Sequence, residues 1–217
     1  MISQTEENYL KALYSLISHK GEAGVNEIGK LLSIKMPTVN SMMKRLAEKG
    51  LVIYESYKPL KLTPEGMRQA ALIIRKHRLT EMYLVEKMGF GWEEVHNIAE
   101  QIEHIKAPEF FDKMDALLGY PKVDPHGSPI PDPDGNIAAD HYIKLSECQQ
   151  GDVVTLMAVQ PSSEELLKFL NSRELSLGAE LTIRAKEDFD QSMSVSYDNH
   201  NEMLSSQVCD KLLVSKL

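Results

Sequence analysis

Residues 36–52 read MPTVNSMMKRLAEKGLV, and they carry the clearest fold signal in the first part of the chain. Pro37 suits the first turn of a helix, where its missing N–H would have no partner. Gly50 suits the left-handed position that ends a helix. The stretch therefore predicts a helix from Pro37 to Lys49. Its apolar side chains recur every three or four residues, as on one helical face: Val39, Met42, Met43 and Leu46.

Two further helices are predicted before this one and two short strands after it. Residues 4–18 and 25–34 carry apolar side chains at helical spacing, and glycines separate them. Residues 51–63 alternate like two strands around a Lys-Pro turn. Three short helices followed by a hairpin indicate a winged helix-turn-helix domain at residues 1–63.

The exposed side of the predicted helix carries the residue types that proteins use to contact DNA. Short polar side chains read base edges, and Lys and Arg bind phosphates. Residues 1–62 have nine Lys or Arg and six Glu, whereas the whole chain has a net charge of −8. The alternatives are a helical domain with the same packing pattern and a winged helix that contacts protein. The candidate DNA contacts are Lys35, Pro37, Thr38, Asn40, Ser41, Lys44 and Arg45 on the helix, and Lys58 and Lys61 on the wing.

The composition is that of an ordinary globular protein. The 217 residues are 42% hydrophobic and 26% charged, and the longest apolar runs are too short to span a membrane. No signal peptide is expected at the N-terminus, because no charged segment followed by an apolar core is present there. The two cysteines, Cys148 and Cys209, lie far apart in sequence and are expected to be inert thiols.

The rest of the chain changes from helical to strand patterning. Residues 64–123 predict a long amphipathic helix and two shorter ones. Five of the ten prolines fall in residues 121–133, which predicts a linker at residues 124–140. Residues 141–217 alternate like strands around one helix. The fold class predicted is therefore mostly α with a small β domain at the C-terminal end.

A cluster of imidazole and carboxylate side chains lies in the predicted middle helices. His77 and Glu81 are one helical turn apart, as are His96 and Glu100, and EQIEH adds Glu103 and His104. Such a set suits Mn(II), Fe(II) or Zn(II), and the lack of thiolate favours the harder ions. The alternative is that each pair is a surface ion pair without a metal.

Several segments resemble the diphtheria-toxin-repressor family of metal-dependent transcriptional repressors. The resemblance covers the whole chain and is most specific in RKHRLTE and EQIEH. It implies a winged helix-turn-helix, a helical metal-binding and dimerisation domain, and a C-terminal SH3-like β-barrel. The matching segments are TEENYLKALYSL (5–16), residues 36–52, LTPEG (62–66), RKHRLTEMYL (75–84), EQIEH (100–104) and LGYPKVDPHGSPIP (118–131).

The function implied by this resemblance is a cytoplasmic repressor that controls metal-uptake genes. Its cofactor would be Mn(II) or Fe(II). Its partners would be a second copy of the chain and double-stranded DNA with a near-palindromic operator, and no membrane would be involved.

The resemblance also implies two metal sites. The primary site would use Asn8, Glu100, Glu103 and His104. Family members carry Met or Asp at the position of Asn8, and short manganese members carry Glu at that of Lys11. The ancillary site would use His77, Glu81 and His96, with help from Glu164 or Glu165. Asp124 occupies a position where three-domain manganese members carry Cys, and it is expected to join the primary site or to start a turn before Pro125.

Two other functions compete with this one. A metalloenzyme could use the same side chains, but the sequence has no HExxH, and it has one ExxH where carboxylate di-iron bundles need two. A winged-helix regulator could instead sense an organic ligand, with the carboxylates serving structure. Because both the DNA-binding pattern and the metal-binding pattern are present, we expect a regulator rather than an enzyme.

Overall fold

The computed structural model describes residues 2–56, 58–139, 141–160 and 162–217, and for residues 19 and 20 it describes the backbone alone. The helices are α1 (Gln4–Lys20), α2 (Val25–Leu31), α3 (Met36–Glu48), α4 (Pro64–Met88), α5 (His96–Ile102), α6 (Pro108–Leu117), α7 (Glu164–Asn171) and α8 (Ser206–Cys209). The strands are β1 (Val52–Ile53), β2 (Lys61–Leu62), β3 (Ile143–Lys144), β4 (Val153–Val159), β5 (Glu180–Lys186), β6 (Met193–Tyr197), β7 (His200–Leu204) and β8 (Leu212–Lys216). The chain forms two compact units, the first of residues 1–80, 99–116 and 130–138, and the second of residues 81–98, 117–129 and 139–217.

The first unit contains the predicted winged helix-turn-helix. α3 is the helix predicted to contact DNA, called the recognition helix from here on, and it begins one residue before Pro37. Val52 of β1 pairs with Leu62 of β2 in an antiparallel wing. Ser3 caps α1 by accepting a hydrogen bond from the backbone N–H of Glu6. Apolar side chains from all three helices and the wing form one core, which includes Leu10, Leu13, Ile28, Val39, Met43, Leu46 and Leu60.

A nearly buried ion pair joins three more segments of the first unit. The Arg75 guanidinium on α4 donates to the Asp115 carboxylate on α6 at 2.5 Å and to the Pro131 carbonyl at 2.7 Å. Both side chains are about one-tenth exposed. Because neither charge is left unpaired, the pair holds α4, α6 and residues 130–138 together.

The second unit is built on a six-stranded antiparallel sheet. The strand order is β3-β8-β4-β5-β6-β7. The predicted strands at residues 151–159, 181–185 and 193–197 are present as β4, β5 and β6. Strand β7 was not predicted, because its residues HNEML are mostly polar, and it forms the edge of the sheet. Cys148 and Cys209 are buried free thiols in this core, as expected, and burial raises the pKa of Cys209 to about 11.

The proline-rich segment is folded where it was predicted to be a linker. The backbone N–H of Asp124 donates to the Ser128 carbonyl at 2.9 Å, and that of Gly127 donates to the Asp124 carbonyl at 3.0 Å. The segment also accepts a hydrogen bond at His126 from Val159 of β4. Asp124, His126 and Ser128 are buried. Residues 124–128 are therefore a closed turn that packs against β4, and the exact domain boundaries remain a prediction.

Candidate functional site

Glu103, which follows α5 directly, is the most buried carboxylate of the predicted primary site. Its side chain is 1% exposed. Its Oε2 lies 2.5 Å from His77 Nδ1 of α4 and accepts a hydrogen bond from Lys11 Nζ of α1 at 2.8 Å. Burial alone would raise the pKa of Glu103, but His77 and Lys11 outweigh it and lower the pKa. Glu103 is therefore held as an anion inside the first unit.

Besides Glu103, Lys11 contacts two more of the predicted ligands. Its Nζ donates to Glu100 Oε1 at 3.1 Å and lies 3.2 Å from His77 Nδ1. Glu100 itself is half-exposed. The ammonium thus bridges the two carboxylates. The sequence analysis did not predict this contact.

Glu7 of α1 is a further carboxylate that the sequence analysis missed. Its Oε2 lies 2.6 Å from His104 Nδ1, and its Oε1 accepts a hydrogen bond from Lys106. Glu7 is buried, whereas Asn8 is exposed. The spacing contained this signal, because Glu7 precedes the buried Leu10 by three residues and so lies on the inner face of α1. The role of Asn8 stays a prediction.

The neighbouring Glu6 connects α1 to the recognition helix. Its side chain is fully buried, and its Oε1 accepts from Lys49 at 2.6 Å and lies 3.0 Å from Arg45 Nε. Burial alone would raise the pKa of Glu6, but hydrogen bonds from Lys49 and Ser3 outweigh this effect and lower the pKa to about 2. Glu6 and Glu7 therefore anchor α1 to α3 and to His104, respectively.

A second set of candidate ligands lies entirely in the second unit. One ligand atom from each of Glu81, Asp124 and His126 lies within 4.8 Å of the others, and all three residues are buried. His126 Nε2 lies 2.8 Å from the Trp92 carbonyl, and its Nδ1 lies 3.7 Å from Glu81 Oε2. Burial lowers the pKa of His126, but Glu81 and Asp124 outweigh it and raise the pKa. The bond to Trp92 leaves Nδ1 as the nitrogen that faces the carboxylates.

His96, predicted for the ancillary site, belongs to the same neighbourhood. Its Nδ1 lies 3.4 Å from Glu81 Oε1, and its side chain is exposed. His77 lies one turn before Glu81 on α4. Asp124, predicted for the primary site, is grouped here with Glu81, and it also accepts hydrogen bonds from the backbone N–H groups of His126 and Ser128. His126 was missed, although its position two residues after Asp124 was a usable signal.

The two glutamates expected from the C-terminal domain lie on the first turn of α7. Glu164 is half-exposed and pairs with Lys168 at 2.6 Å. Hydrogen bonds from its own backbone N–H and from Ser163 lower the pKa of Glu165. In the part of the chain that the structure describes, neither glutamate joins a group of candidate metal ligands. Their contribution stays a prediction.

The donor atoms of both sets fit a divalent ion of intermediate hardness. Each set combines carboxylate oxygens with imidazole nitrogens, which are common ligands of Mn(II) and Fe(II). The two thiols are buried in the β core of the second unit. The lowered pKa keeps Glu103 ionised, and a carboxylate must be ionised to bind a metal ion.

The candidate DNA-binding face of α3 and the wing is largely exposed. Asn40 is half-buried and accepts a hydrogen bond from Tyr54 Oη at 3.2 Å, and Lys58 pairs with Glu55 at 2.5 Å. Because Lys58 and Glu55 are both exposed, a DNA phosphate could replace Glu55 as the partner of Lys58 at low cost. The exposed candidates are Lys35, Pro37, Thr38, Ser41, Lys44, Arg45, Lys58 and Lys61.

A winged helix with an exposed basic face, in a unit that also holds one buried imidazole–carboxylate set, defines a metal-responsive DNA-binding regulator. Comparison with known protein families assigns the chain to a more specific class. Residues 1–60 match the model of the iron dependent repressor N-terminal DNA binding domain. Residues 63–132 match the iron dependent repressor metal binding and dimerisation domain, and residues 143–216 match the FeoA domain.

Individual relatives and solved structures agree with these matches. The chain is 32% identical over 167 residues to the iron-dependent repressor IdeR of Mycobacterium leprae, covering 72% of this chain and 71% of the relative. It is 30% identical over 125 residues to the HTH-type transcriptional regulator MntR of Lysinibacillus sphaericus, covering 58% of this chain and 89% of that one. A manganese-dependent transcriptional repressor solved in complex with manganese has a TM-score of 0.89 at 29% identity, over 98% of this chain and all of the other.

The chain belongs to the diphtheria-toxin-repressor family of metal-dependent transcriptional repressors. It is a metal-dependent, DNA-binding transcriptional repressor and not an enzyme. Its domains are those of a protein that binds DNA as a homodimer. The predicted family and fold class are confirmed, as is the prediction of a metal-dependent DNA-binding repressor. No described helix is both long enough and apolar enough to cross a membrane.

Proposed function

We propose that this protein senses Mn(II) or Fe(II) in the cytoplasm and represses metal-uptake genes from near-palindromic operators. Carboxylate and imidazole ligands support these two ions, and relatives named as iron-dependent and manganese-dependent repressors support the same pair. The two-fold symmetry of a homodimer supports a near-palindromic operator, because it presents two equivalent recognition helices.

The ligand assignment that we propose follows the two groups of side chains. In the first unit, Glu100, Glu103 and His104 would bind metal, with His77 and Glu7 beside them. In the second unit, the ligands would be Glu81, Asp124 and His126, with His96 beside Glu81. No thiolate takes part in either group.

The observation that supports a metal switch is the pair of adjacent carboxylates in α1. Glu7 binds His104 of the ligand set, and the next residue towards the N-terminus, Glu6, binds Arg45 and Lys49 of the recognition helix. A change in the position of α1 at the ligand set is therefore passed to α3 through neighbouring backbone. By linkage, metal can tighten DNA binding only as far as DNA tightens metal binding.

The first prediction is that DNA binding requires the metal. Gel shifts would use promoter DNA from the genes that neighbour the protein's own gene, with chelator or with added Mn(II) or Fe(II). We expect metal to tighten binding at least fivefold, which is the low end of ordinary allosteric coupling. A DNA with one half-site scrambled is the control. Equal affinity with chelator and with metal would contradict the switch but not the DNA binding.

The second prediction separates phosphate contacts from base contacts. Lys44→Ala and Lys61→Ala should each weaken binding to every DNA sequence and reduce the slope against salt concentration by about one. Thr38→Ala and Ser41→Ala should instead change the ranking of operator variants. Binding titrations at several salt concentrations would measure both effects, with Lys168→Ala on α7 as the control. A uniform loss in all four variants would contradict the proposed orientation of α3.

A further inference from the structure

Lys11 is the cation most closely associated with the ligand set of the first unit. Its Nζ lies 2.8 Å from Glu103, 3.1 Å from Glu100 and 3.2 Å from His77. The lysine side chain is 22% exposed, so the ammonium is partly withdrawn from water. A single side chain therefore contacts three of the groups that we assign to the metal or place beside it.

The burial of Glu103 explains why a cation is needed at this position. A carboxylate that is 1% exposed is costly to keep ionised unless a positive charge or several donors compensate it. Two other lysines in this part of the first unit have other partners. Lys106 binds Glu7, and Lys76 donates to the backbone carbonyl of Glu103 rather than to its carboxylate. Among the lysines whose side chains the structure describes, Lys11 thus donates to both Glu100 and Glu103.

We propose that Lys11 is a tethered cation that holds Glu100 and Glu103 together in the metal-free protein and competes with the metal for them. This proposal rests on the metal-binding role of these carboxylates. A protonated ammonium has no lone pair and cannot be a ligand, so Lys11 has to release the carboxylate oxygens when a divalent ion binds them. The cost of this release raises the metal concentration at which the regulator responds.

Because of this competition, replacing Lys11 changes the stability of the metal-free protein and its metal affinity in opposite directions. Without the ammonium, Glu100 and Glu103 lose a shared partner, and the metal-free protein becomes less stable. The same change removes a competitor, and metal binds more tightly. If Lys11 merely supported the fold, its replacement would lower the stability and the metal affinity together.

The test is a set of variants at position 11, with Mn(II) as the probe. Lys11→Met keeps the length and the apolar stem of the side chain but removes the charge, whereas Lys11→Arg keeps the charge. Equilibrium dialysis would measure Mn(II) affinity, and thermal unfolding in chelator would measure the stability of the metal-free protein. Lys216→Met is the control, because Lys216 also pairs with a carboxylate, that of Asp152 at 2.7 Å, and neither residue is a candidate metal ligand.

We expect Lys11→Met to bind Mn(II) about tenfold more tightly, which corresponds to one hydrogen bond to a charged group. Its metal-free form should unfold at a lower temperature, and Lys11→Arg should stay within about threefold of the parent. Unchanged or weaker Mn(II) binding by Lys11→Met would overturn the proposal. If Lys11→Met does not fold, Lys11→Gln decides in the same way, since it is neutral but can still donate a hydrogen bond.

Metal binding by the parent protein distinguishes a failure of this proposal from a failure of the proposed function. A parent that binds none of Mn(II), Fe(II) and Zn(II) in dialysis would overturn both. A parent that binds Mn(II), with a Lys11→Met variant that binds no more tightly, would overturn the role of Lys11 alone.

Discussion

Glu103→Gln is expected to lower Mn(II) affinity by more than about a hundredfold and to remove the effect of metal on DNA binding. Even partners outside the ligand shell contribute roughly 10–100-fold to metal affinity, and Glu103 is a candidate ligand with a buried, ionised side chain. The substitution keeps the shape of the side chain but removes its negative charge. Titration with Mn(II) and gel shifts with and without metal would measure the two losses.

The same substitution should also destabilise the first unit. Lys11 and His77 both lose a charged partner, and such losses amount to about 1–3 kcal/mol. Urea unfolding in chelator would show this as a lower midpoint. Glu109→Gln is the matched control, because Glu109 is an exposed carboxylate in the first turn of α6. Mn(II) affinity within threefold of the parent would show that Glu103 is not a ligand.

Gly127→Ala is expected to lower the free energy of unfolding of the second unit by about 2–4 kcal/mol. Gly127 has φ +86°, and an added Cβ would lie 2.1 Å from the Met157 carbonyl oxygen and 2.7 Å from Ala158. These neighbours belong to β4, whose backbone is held by the sheet. The turn must therefore move away, and Asp124 and His126 must move with it. Chemical unfolding followed by circular dichroism would measure the loss.

A second glycine of the same unit separates the cost of the left-handed backbone from the cost of the steric clash with β4. Gly151 has φ +91°, but an added Cβ would have nothing within 4 Å. Gly151→Ala should therefore show the cost of the left-handed backbone alone, about 1–2 kcal/mol. It should leave Mn(II) binding unchanged, whereas Gly127→Ala should weaken it. Equal destabilisation by both variants would contradict the close packing of Gly127 against β4.

The helices and most strands could be predicted from the sequence because their signals are local. The periodicity of residues 64–88 predicts α4 with its observed ends, and Pro37 and Gly50 place the recognition helix within one residue. Spacing also places His77 and Glu81 one turn apart on any helix, which is the basis of the predicted imidazole–carboxylate metal site. Local geometry determines these features whatever the rest of the chain does.

The partners of the charged side chains could not be predicted in this way. Lys11 lies 92 residues from Glu103, and Glu7 lies 97 residues from His104. Helical periodicity states which face of α1 is buried, but not which helix packs against that face. The family and the winged helix thus followed from the sequence alone, and the metal ligands remain a prediction from it. That Lys11 bridges two candidate ligand carboxylates, and that Asp124 lies with Glu81 and His126, could be seen only in the folded chain, because contacts between distant segments depend on how the elements pack.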